Sequence, residues 1–332
     1  MAPKLTIQLL GWNGAIHLQE TAPALQEVPR DQAIVRYIDN GSEDASLEIV
    51  QDLLPHADIL RLETNKGFAG AHNAGFAVCT TPYVLTLDQD IAVNWEGLEK
   101  LIHELDKNPK LGAVQGKLYR KEGKKILDSA GIVATLALNG KERGSNEPDT
   151  GQYEIKTDLF AVTGGCGMYR MEALRSVSHT HTVMPAPEPA STRGSRVTAR
   201  DDAEVFDSDF FAYKEDVDLG WRLNKAGWAV QYIPVLVGYH ARTMGRRGLF
   251  NWGIGPKNIS ERITNNRTRL SLRNYIWMLA KNMTFADELK YSVFIAIRLS
   301  IFFILSLFSW NLFSVWKEAF AGIEKMHGKR SK

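Results

Sequence analysis

Residues 83–90 read Y-V-L-T-L-D-Q-D. Five mostly apolar or β-branched residues lead directly into two carboxylates, Asp88 and Asp90. A run of this composition predicts a buried strand, and side chains two positions apart on a strand face the same side. Two carboxylates this close repel each other unless a cation lies between them. The stretch therefore predicts either a divalent cation site at the end of a buried strand or a solvated turn.

Strand-like and helix-like runs alternate through the first ninety residues, with helices predicted over Ser46–Leu54 and Phe68–Val78. This alternation predicts an α/β fold with a mostly parallel sheet flanked by helices. Ligands bind such sheets at the carboxyl ends of the strands. Polar side chains and glycines follow the predicted strands, at Gly11–Asn13, Asp39–Ser42, Glu63–Gly67 and Asp88–Asp90.

The second half of the chain continues the mixed pattern. It predicts helices over Trp95–Asp106 and Asp216–Ala226, and a surface loop near residues 183–207 because Pro185–Arg200 has no periodicity. From Ser260 the pattern is helical to the end. Strands are predicted over Gly112–Tyr119, Ile126–Val133, Leu159–Tyr169, Trp228–Ile233 and Val235–Tyr239.

The charge is unevenly distributed, although the chain of 332 residues carries a net charge of only +2. Residues 242–273 contain eight Lys or Arg and one acid, and Lys325–Lys332 is basic again. These segments flank the apolar stretch Tyr291–Trp316, a pattern that favours an anionic membrane surface over nucleic acid. Cys79 and Cys166 lie in apolar stretches and are predicted to be buried thiols in a reducing compartment, with no signal peptide expected.

The stretch 291–308 is long enough to cross a bilayer and contains one charged residue, Arg298. A charge near the middle of a span is costly in hydrocarbon, whereas Trp310 and Trp316 suit an interface. The composition therefore favours an anchor that lies in the membrane plane or forms a hairpin over a full span. A helix in a protein–protein interface is the third reading.

Several of these motifs, in this order, resemble the family 2 glycosyltransferases. They are I-D-N-G-S-x-D from Ile38, N-x-G-F-A-G-A-x-N-x-G from Asn65, and L-D-Q-D from Leu87. The second half adds T-G-G-C-G-M-Y-R at 163–170, F-F-A-Y-K-E-D-V-D-L-G-W-R at 210–222 and G-Y-H at 238–240. The resemblance covers roughly residues 4–275, is closest to bacterial rhamnosyltransferase-like members, and implies the GT-A fold.

The resemblance also implies a set of donor-site residues. Asp90 and His240 would bind Mn²⁺ or Mg²⁺ on the donor diphosphate, and Asp88 would face the ribose or reach the metal through water. His240 read alone is equally an ordinary histidine at a strand end, and Asn65 also suits a helix N-cap. The nucleotide-sugar candidates are Leu9, Leu10, Asp39, Asn65, Gly67, Asn73, Asp88 and Gln89.

The acidic pair Glu215 and Asp216 is the candidate catalytic pair. An inverting sugar transfer needs a base for the acceptor hydroxyl, and the resemblance assigns that role to Asp216 with Glu215 as its helper. The alternative is that both acids only stabilise the N-terminus of a helix.

The sequence therefore predicts a metal-dependent inverting hexosyltransferase at the cytoplasmic face of the plasma membrane. The donor would be a dTDP-, UDP- or GDP-linked sugar, with L-rhamnose one candidate, and the acceptor a lipid-linked or cell-surface polysaccharide. The alternatives are an inactive GT-A scaffold and a nucleotidyltransferase, although L-L-G-W-N-G-A lacks the basic residue of a triphosphate loop. The predicted regions are a catalytic domain over 1–259, with a nucleotide-binding half (1–94) and an acceptor half (95–259), and a membrane-associating helical region over 260–332.

Overall fold

A computed structural model of the chain describes residues 2–121, 125–180, 203–241, 266–307 and 310–330. Most of the predicted loop near 183–207 and the basic stretch 242–265 lie outside the described residues.

A large mixed sheet forms the centre of the protein, in the order β10-β14-β6-β11-β4-β1-β2-β3 among the described residues, with β5 and β7 paired to β14 and β6. Strands β1 to β4 and the pair β6 and β14 run parallel where they meet, while β5, β7, β10 and β11 are antiparallel to their neighbours. The strands are β1 Leu5–Gly11, β2 Ala33–Asp39, β3 Asp58–Arg61, β4 Tyr83–Asp88, β5 Ile91–Val93, β6 Leu111–Arg120, β7 Leu127–Ser129, β8 Ile132–Val133, β9 Lys141–Glu142, β10 Thr157–Asp158, β11 Met168–Arg170, β12 His179–Thr180, β13 Ala203–Glu204 and β14 Ala229–His240.

Helices flank this sheet and then form a C-terminal group. The predicted helices of the first half are present with ends shifted by a residue, and the α/β prediction is confirmed. The helices are α1 Ala15–Thr21, α2 Ser46–Leu53, α3 Gly67–Ala77, α4 Trp95–Lys107, α5 Met171–Ser176, α6 Glu215–Lys225, α7 Asn266–Asn282, α8 Phe285–Ser306, α9 Trp310–Ala321 and α10 Ile323–Gly328.

Helix α4 shows how local sequence fixes an element against the sheet. The Asn94 side chain accepts a hydrogen bond from the Gly97 amide at 2.8 Å and so caps the helix. Leucines and one isoleucine at helical spacing are buried on one face. Gly97 allows close approach to β14, since a Cβ there would lie 1.8 Å from the Leu236 carbonyl oxygen.

Three predicted strands differ from the structure. The run Ile126–Val133 is divided into β7 and β8, which pair with different strands. The run Leu159–Tyr169, predicted as one strand, is broken by a 3₁₀ turn at Gly164–Cys166, because consecutive glycines favour a turn over an extended ladder. The two runs around Pro234 form a single strand, β14. The register between β14 and β6 shifts between Tyr232 and Leu236, and this irregularity accommodates the proline, which cannot donate a ladder hydrogen bond.

A buried charge cluster joins helix α7 to the rest of the protein. Lys281 is almost fully buried and its ammonium lies 2.9 Å from Asp207 Oδ2 and 3.0 Å from Asp218 Oδ2. Arg222 lies 2.9 Å from the same oxygen of Asp218, and Lys329 pairs with Asp207 from the end of the chain. The positive charges of Lys281 and Lys329 lower the pKa of Asp207 against the opposing effect of burial. Helix α7 is therefore bound into the domain core by charge as well as by apolar packing.

Replacing Lys281 with methionine keeps the side-chain volume and removes the charge shared by two buried carboxylates. We expect the free energy of unfolding to fall by about 3 kcal/mol, because two buried charges lose a partner. Equilibrium urea denaturation measures this loss. Lys100→Ala is the control: it breaks an exposed pair with Glu96, which contributes less than about 1 kcal/mol. A loss of less than about 1 kcal/mol in Lys281→Met would contradict this account.

Candidate active site

The parallel register of the first strands gathers the predicted donor-site residues at one edge of the sheet. On either side of β1, Gly11 is paired with Asp39 of β2, and Leu10 is paired with Asp88 of β4. Asp39 is fully buried and accepts a hydrogen bond from the Ser42 amide at 3.0 Å. Asp39 and Asp88, 49 positions apart in the sequence, thus end strands on either side of β1.

The antiparallel pairing of β5 with β14 brings His240 to the acidic pair. His240 is opposite Ile91 in this register, and the Ala241 amide donates to the Asp90 carbonyl at 2.8 Å. As a result His240 Nε2 lies 3.2 Å from Asp90 Oδ1. From the sequence, only the family resemblance indicates that Asp90 and His240 act together. In the structure, the strand pairing brings their side chains into contact.

A third residue, Asp128, contacts the other side of the His240 ring. Asp128 Oδ2 lies 2.8 Å from His240 Nδ1, and its side chain is almost fully buried on β7. Burial alone would lower the pKa of His240, but its hydrogen bonds with Asp128 and Asp90 outweigh burial and raise the pKa to about 9. Burial likewise would raise the pKa of Asp90, and the contact with His240 lowers it instead. Sequence reasoning missed Asp128, because it lies 112 positions from His240 in no recognisable motif.

Glu215 and Asp216 begin helix α6 on the opposite side of the site. Asp216 accepts hydrogen bonds from the amides of Gly164 at 3.2 Å and Val217 at 2.8 Å. No described residue donates a hydrogen bond to the buried Glu215 Oε2. Burial raises the pKa of both acids, and the neighbouring Asp216 charge raises the pKa of Glu215 well above its usual value. The Lys214 charge and the backbone amides oppose this rise for Asp216, so of the two acids Asp216 ionises more readily.

One cavity of about 450 Å³ is lined by Asp88 and His240 on one side and by Glu215 and Asp216 on the other. Gly165 makes room for it: a Cβ at that position would lie 2.5 Å from Asp88 Oδ2. Glu142 of β9 also lines the cavity, and sequence reasoning missed it. Its pKa is raised to about 7 by burial and by the nearby Asp216 charge. The lining comprises Phe68, Asp88, Ile132, Gly140, Glu142, Thr163, Gly164, Gly165, Ala212, Tyr213, Lys214, Glu215, Asp216, Val217, His240, Arg267 and Ser271.

Several nucleotide candidates stabilise the loops around the donor side. Asn65 Oδ1 accepts from the Gly67 amide at 2.8 Å and from Asn40 Nδ2 at 3.0 Å, so it does support the start of α3. Gly67 has φ +71°, and a Cβ there would lie 2.3 Å from the Phe211 carbonyl oxygen. Leu9 and Leu10 are buried in β1. That these four residues bind the nucleotide stays a prediction.

Asn73 and Gln89 have structural partners away from the acidic groups. The Asn73 amide nitrogen donates to the Phe206 carbonyl at 2.7 Å, and its oxygen accepts from the Phe206 amide at 3.0 Å. Gln89 Oε1 accepts from the Trp12 amide at 2.9 Å and so holds the loop after β1. The structure thus does not bring the Asn73 side chain to the cavity, and it gives Gln89 a loop-supporting position.

Asp90 and His240 have the chemistry and the spacing of a divalent cation site. The 3.2 Å between Asp90 Oδ1 and His240 Nε2 is close to the separation of about 3 Å between adjacent ligands of an octahedral ion bound at about 2.1 Å. Asp128 can hold the Nδ1 proton of His240, which leaves Nε2 to face an ion. The described residues contain no group of three or more acids, histidines or cysteines suited to a metal. Mg²⁺ in proteins commonly keeps several waters and takes substrate phosphates as further ligands.

The chain is similar in sequence to a family of glycosyltransferases and in fold to a solved structure. Residues 18–178 match the model of Glycosyl transferase family 2. A structure titled "Crystal structure of GalNAc-T7 with UDP, GalNAc and Mn2+" superposes with a TM-score of 0.53 at 13% identity, covering 84% of this chain and 48% of that one, and shows the shared fold. The chain therefore has the predicted GT-A fold, and residues 18–178 are similar to the glycosyltransferases of that family.

Curated relatives are polysaccharide synthases by name. Poly-beta-1,6-N-acetyl-D-glucosamine synthase of Staphylococcus epidermidis is 22% identical over 232 residues, which is 69% of this chain and 48% of the relative. The Staphylococcus aureus protein of that name is 22% identical over 233 residues, 70% of this chain and 48% of the relative. This chain thus spans about half the length of these relatives.

The paired state of His240 predicts a pH dependence of stability without metal. A pKa raised from 6.5 to about 9 on folding stabilises the protein fully below pH 6.5, and this contribution is lost as the pH rises through 9. Urea unfolding in EDTA should show a wild-type advantage over His240→Gln that falls by up to about 3 kcal/mol between pH 6.5 and pH 9.5. An advantage that stays constant over this range would contradict the ion-paired state of His240.

Proposed function

We propose that this protein is a metal-dependent, inverting glycosyltransferase that transfers a sugar from a nucleotide diphosphate to a lipid-linked or polysaccharide acceptor. The observation that carries the proposal is the single cavity shared by Asp88 and His240 on one side and Glu215 and Asp216 on the other. Such a cavity suits a reaction in which one side holds a diphosphate and the other removes a proton. The GT-A fold and the family 2 domain support the same reaction class.

On the donor side, Asp90 and His240 would hold Mn²⁺ or Mg²⁺ with the diphosphate of the donor. When bound, the ion neutralises negative charge on the departing nucleoside diphosphate. Asp128 positions the His240 ring, and Asp88 faces the ribose or the ion's water shell. Asp39, at the end of β2, and Asn65, just before α3, contact the base and ribose, with Gly67 and the Leu9–Leu10 backbone close by.

On the acceptor side, Asp216 is the base. It accepts the proton of the acceptor hydroxyl as the hydroxyl oxygen attacks the anomeric carbon and the bond from that carbon to the diphosphate oxygen breaks. The raised pKa of Asp216 suits it to this task, because a base works best when its pKa approaches the working pH. Glu215, whose pKa is raised further, stays protonated and lets the pair carry a single charge.

The names of the relatives and the sequence resemblance determine which nucleotide sugars to test as donors. The relatives are named for N-acetylglucosamine polymers, which supports UDP-N-acetylglucosamine as the first donor to test. The rhamnosyltransferase-like motifs keep dTDP-L-rhamnose as the second, and GDP-linked sugars complete the panel. Hydrolysis of each donor with Mn²⁺ or Mg²⁺, measured as nucleoside diphosphate release, selects among them.

Helix α8 supports attachment in the plane of a membrane. It is the one helix among the described residues that is long and apolar enough to cross a bilayer by length and composition. Its inner face packs along α7 and α9, however, and Arg298 lies 5.1 Å from the ring centres of Tyr275 and Phe302 on that inner face. The outer face is apolar and exposed. A helix that contacts the domain through one stripe of side chains and exposes an apolar outer face is suited to lie on the bilayer, at the cytoplasmic face if the two free buried thiols mark a reducing compartment.

Substitutions in the two acidic groups should separate donor binding from chemistry. Asp90→Asn should lower Mn²⁺-dependent binding of UDP, GDP or dTDP at least tenfold, because it removes an anionic ligand. Asp216→Asn should leave this binding within about twofold and lower turnover by at least about 100-fold, because the base is lost. Titration calorimetry and nucleotide release measure the two effects.

The exposed Asp31→Asn variant is the control for both assays and should match the wild type. An equal loss of nucleotide binding in Asp90→Asn and Asp216→Asn would refute the division between a donor side and an acceptor side.

Polar substitutions on the outer face of α8 should detach the protein from membranes. Leu289, Val293, Ile297 and Ile301 are 54% to 79% exposed there, so changing all four to serine removes apolar contact with lipid and little packing. We expect binding to phosphatidylcholine vesicles with 30% phosphatidylglycerol to fall at least tenfold in a co-sedimentation assay. Ile16→Ser with Ile155→Ser is the control, since both are exposed elsewhere. Unchanged co-sedimentation of the fourfold variant would exclude α8 as the attachment site.

A further inference from the structure

The turn that precedes helix α6 has an unusual backbone. Phe211, Tyr213 and Lys214 all have positive φ, at 63°, 73° and 77°. Residues with a Cβ rarely adopt this region, and such a turn persists only where its surroundings hold it. The next two residues are Glu215 and Asp216, so the strained turn sets the position of the acidic pair.

One buried side chain of the C-terminal region holds this turn. Asn274 of α7 is fully buried, and its amide nitrogen lies 2.9 Å from the Phe210 carbonyl oxygen, 2.9 Å from that of Ala212 and 2.7 Å from that of Tyr213. Three carbonyls that point to one side therefore share a single amide group. Such an arrangement needs a donor at this place, since unpaired buried carbonyls are costly.

The preceding residue fixes the orientation of that amide. Arg273 Nε donates to Asn274 Oδ1 at 3.0 Å, which turns the Asn274 nitrogen toward the turn. Arg273 Nη2 also donates to the carbonyls of Asp209 at 3.0 Å and Phe210 at 3.2 Å. Two adjacent residues of α7 thus bind the backbone carbonyls that lead into α6.

The turn is in contact with the cavity as well as with α7. Ala212, Tyr213 and Lys214 line the cavity beside Asp216. The Lys214 ammonium donates to the Asn139 carbonyl at 2.7 Å, and the Ala69 amide of α3 donates to the Phe211 carbonyl at 3.1 Å. A shift of this backbone would therefore move the acidic pair relative to the donor side.

We propose that Asn274 is a positioning residue for Asp216, so that α7 belongs to the catalytic apparatus as well as to the C-terminal helical region. The side chain acts through the turn and touches no substrate. Its catalytic consequence rests on the transfer function proposed above, whereas its hold on the turn does not. We therefore expect loss of the Asn274 amide to lower turnover more than it lowers the affinity for the donor.

Asn274→Asp tests this with no change in size, because it replaces the donating nitrogen by an oxygen that repels three carbonyls. Asn274→Ala removes the group altogether. Trp277→Phe is the matched control: it lies one turn along the same helix and loses one buried hydrogen bond, to the Ala319 carbonyl at 2.9 Å, while it keeps an aromatic ring beside Phe210. All three variants are made in the full chain and their melting temperatures are compared first.

Two measurements follow on these variants. The first is donor hydrolysis with whichever of UDP-N-acetylglucosamine, dTDP-L-rhamnose and GDP-mannose the wild type turns over fastest, with kcat and KM determined separately. We expect Asn274→Asp to lower kcat at least 20-fold with KM within about twofold, and Trp277→Phe to keep kcat within about threefold. The second is hydrogen–deuterium exchange, in which residues 209–217 should exchange at least tenfold faster in Asn274→Asp than in Trp277→Phe.

The outcomes separate this inference from the proposed function. If Asn274→Asp loses no more kcat than Trp277→Phe at a similar loss of melting temperature, the positioning role is wrong. If the wild type turns over none of the donors, the proposed function fails, and exchange of residues 209–217 alone decides whether Asn274 holds the turn. Equal exchange in Asn274→Asp and Trp277→Phe would overturn the inference in either case.

Discussion

The hydrogen bonds between β5 and β14 are the constraint on which the rest of the site depends. Strand β5 is only three residues long, and it directly follows the acidic pair at the end of β4. Its antiparallel partner brings the last residue of β14, His240, back to Asp90. A slip of one residue in this register would turn the His240 ring to the other face of the sheet. The proposed metal site therefore depends on a pairing that is fixed elsewhere, by the long parallel ladder between β14 and β6.

The candidate residues that can be found from the sequence are those that form short motifs of neighbouring residues. Asp88 and Asp90 follow an apolar run, and Glu215 and Asp216 precede a helix, so spacing and element type expose both pairs. Asp128 and Glu142 have no such pattern: each is one acid on a short strand, and the distant residues that it meets, His240 and Asp216, are set by the tertiary fold. Asn73 illustrates an ambiguity, because an asparagine in a glycine-rich helix looks the same in sequence whether it binds a ligand or, as in this structure, the Phe206 backbone.

The basic C-terminal segments illustrate a similar ambiguity of charge. From the sequence, the lysines and arginines that flank the apolar stretch indicate an anionic surface. In the structure several of them pair with acids of the protein: Arg273 with Glu318 at 2.6 Å, Lys325 with Asp209 at 2.7 Å, and Lys329 with the buried Asp207. Composition cannot distinguish a cation that meets lipid from one that neutralises a buried carboxylate, since both leave the same run of residues. The apolar outer face of α8 thus supports the proposed membrane attachment better than the charge does.

Gly67 connects the two halves of the site without a side chain. The first turn of α3 meets the carbonyl of Phe211 so closely that a methyl group would not fit, and the Ala69 amide bonds to that same carbonyl. The start of α3, on the proposed donor side, and the turn before Glu215 and Asp216 are therefore held against each other. An attempt to give this scaffold a new acceptor by exchanging the segment before α6 would have to bring the matching start of α3 with it, because the two surfaces are shaped against each other.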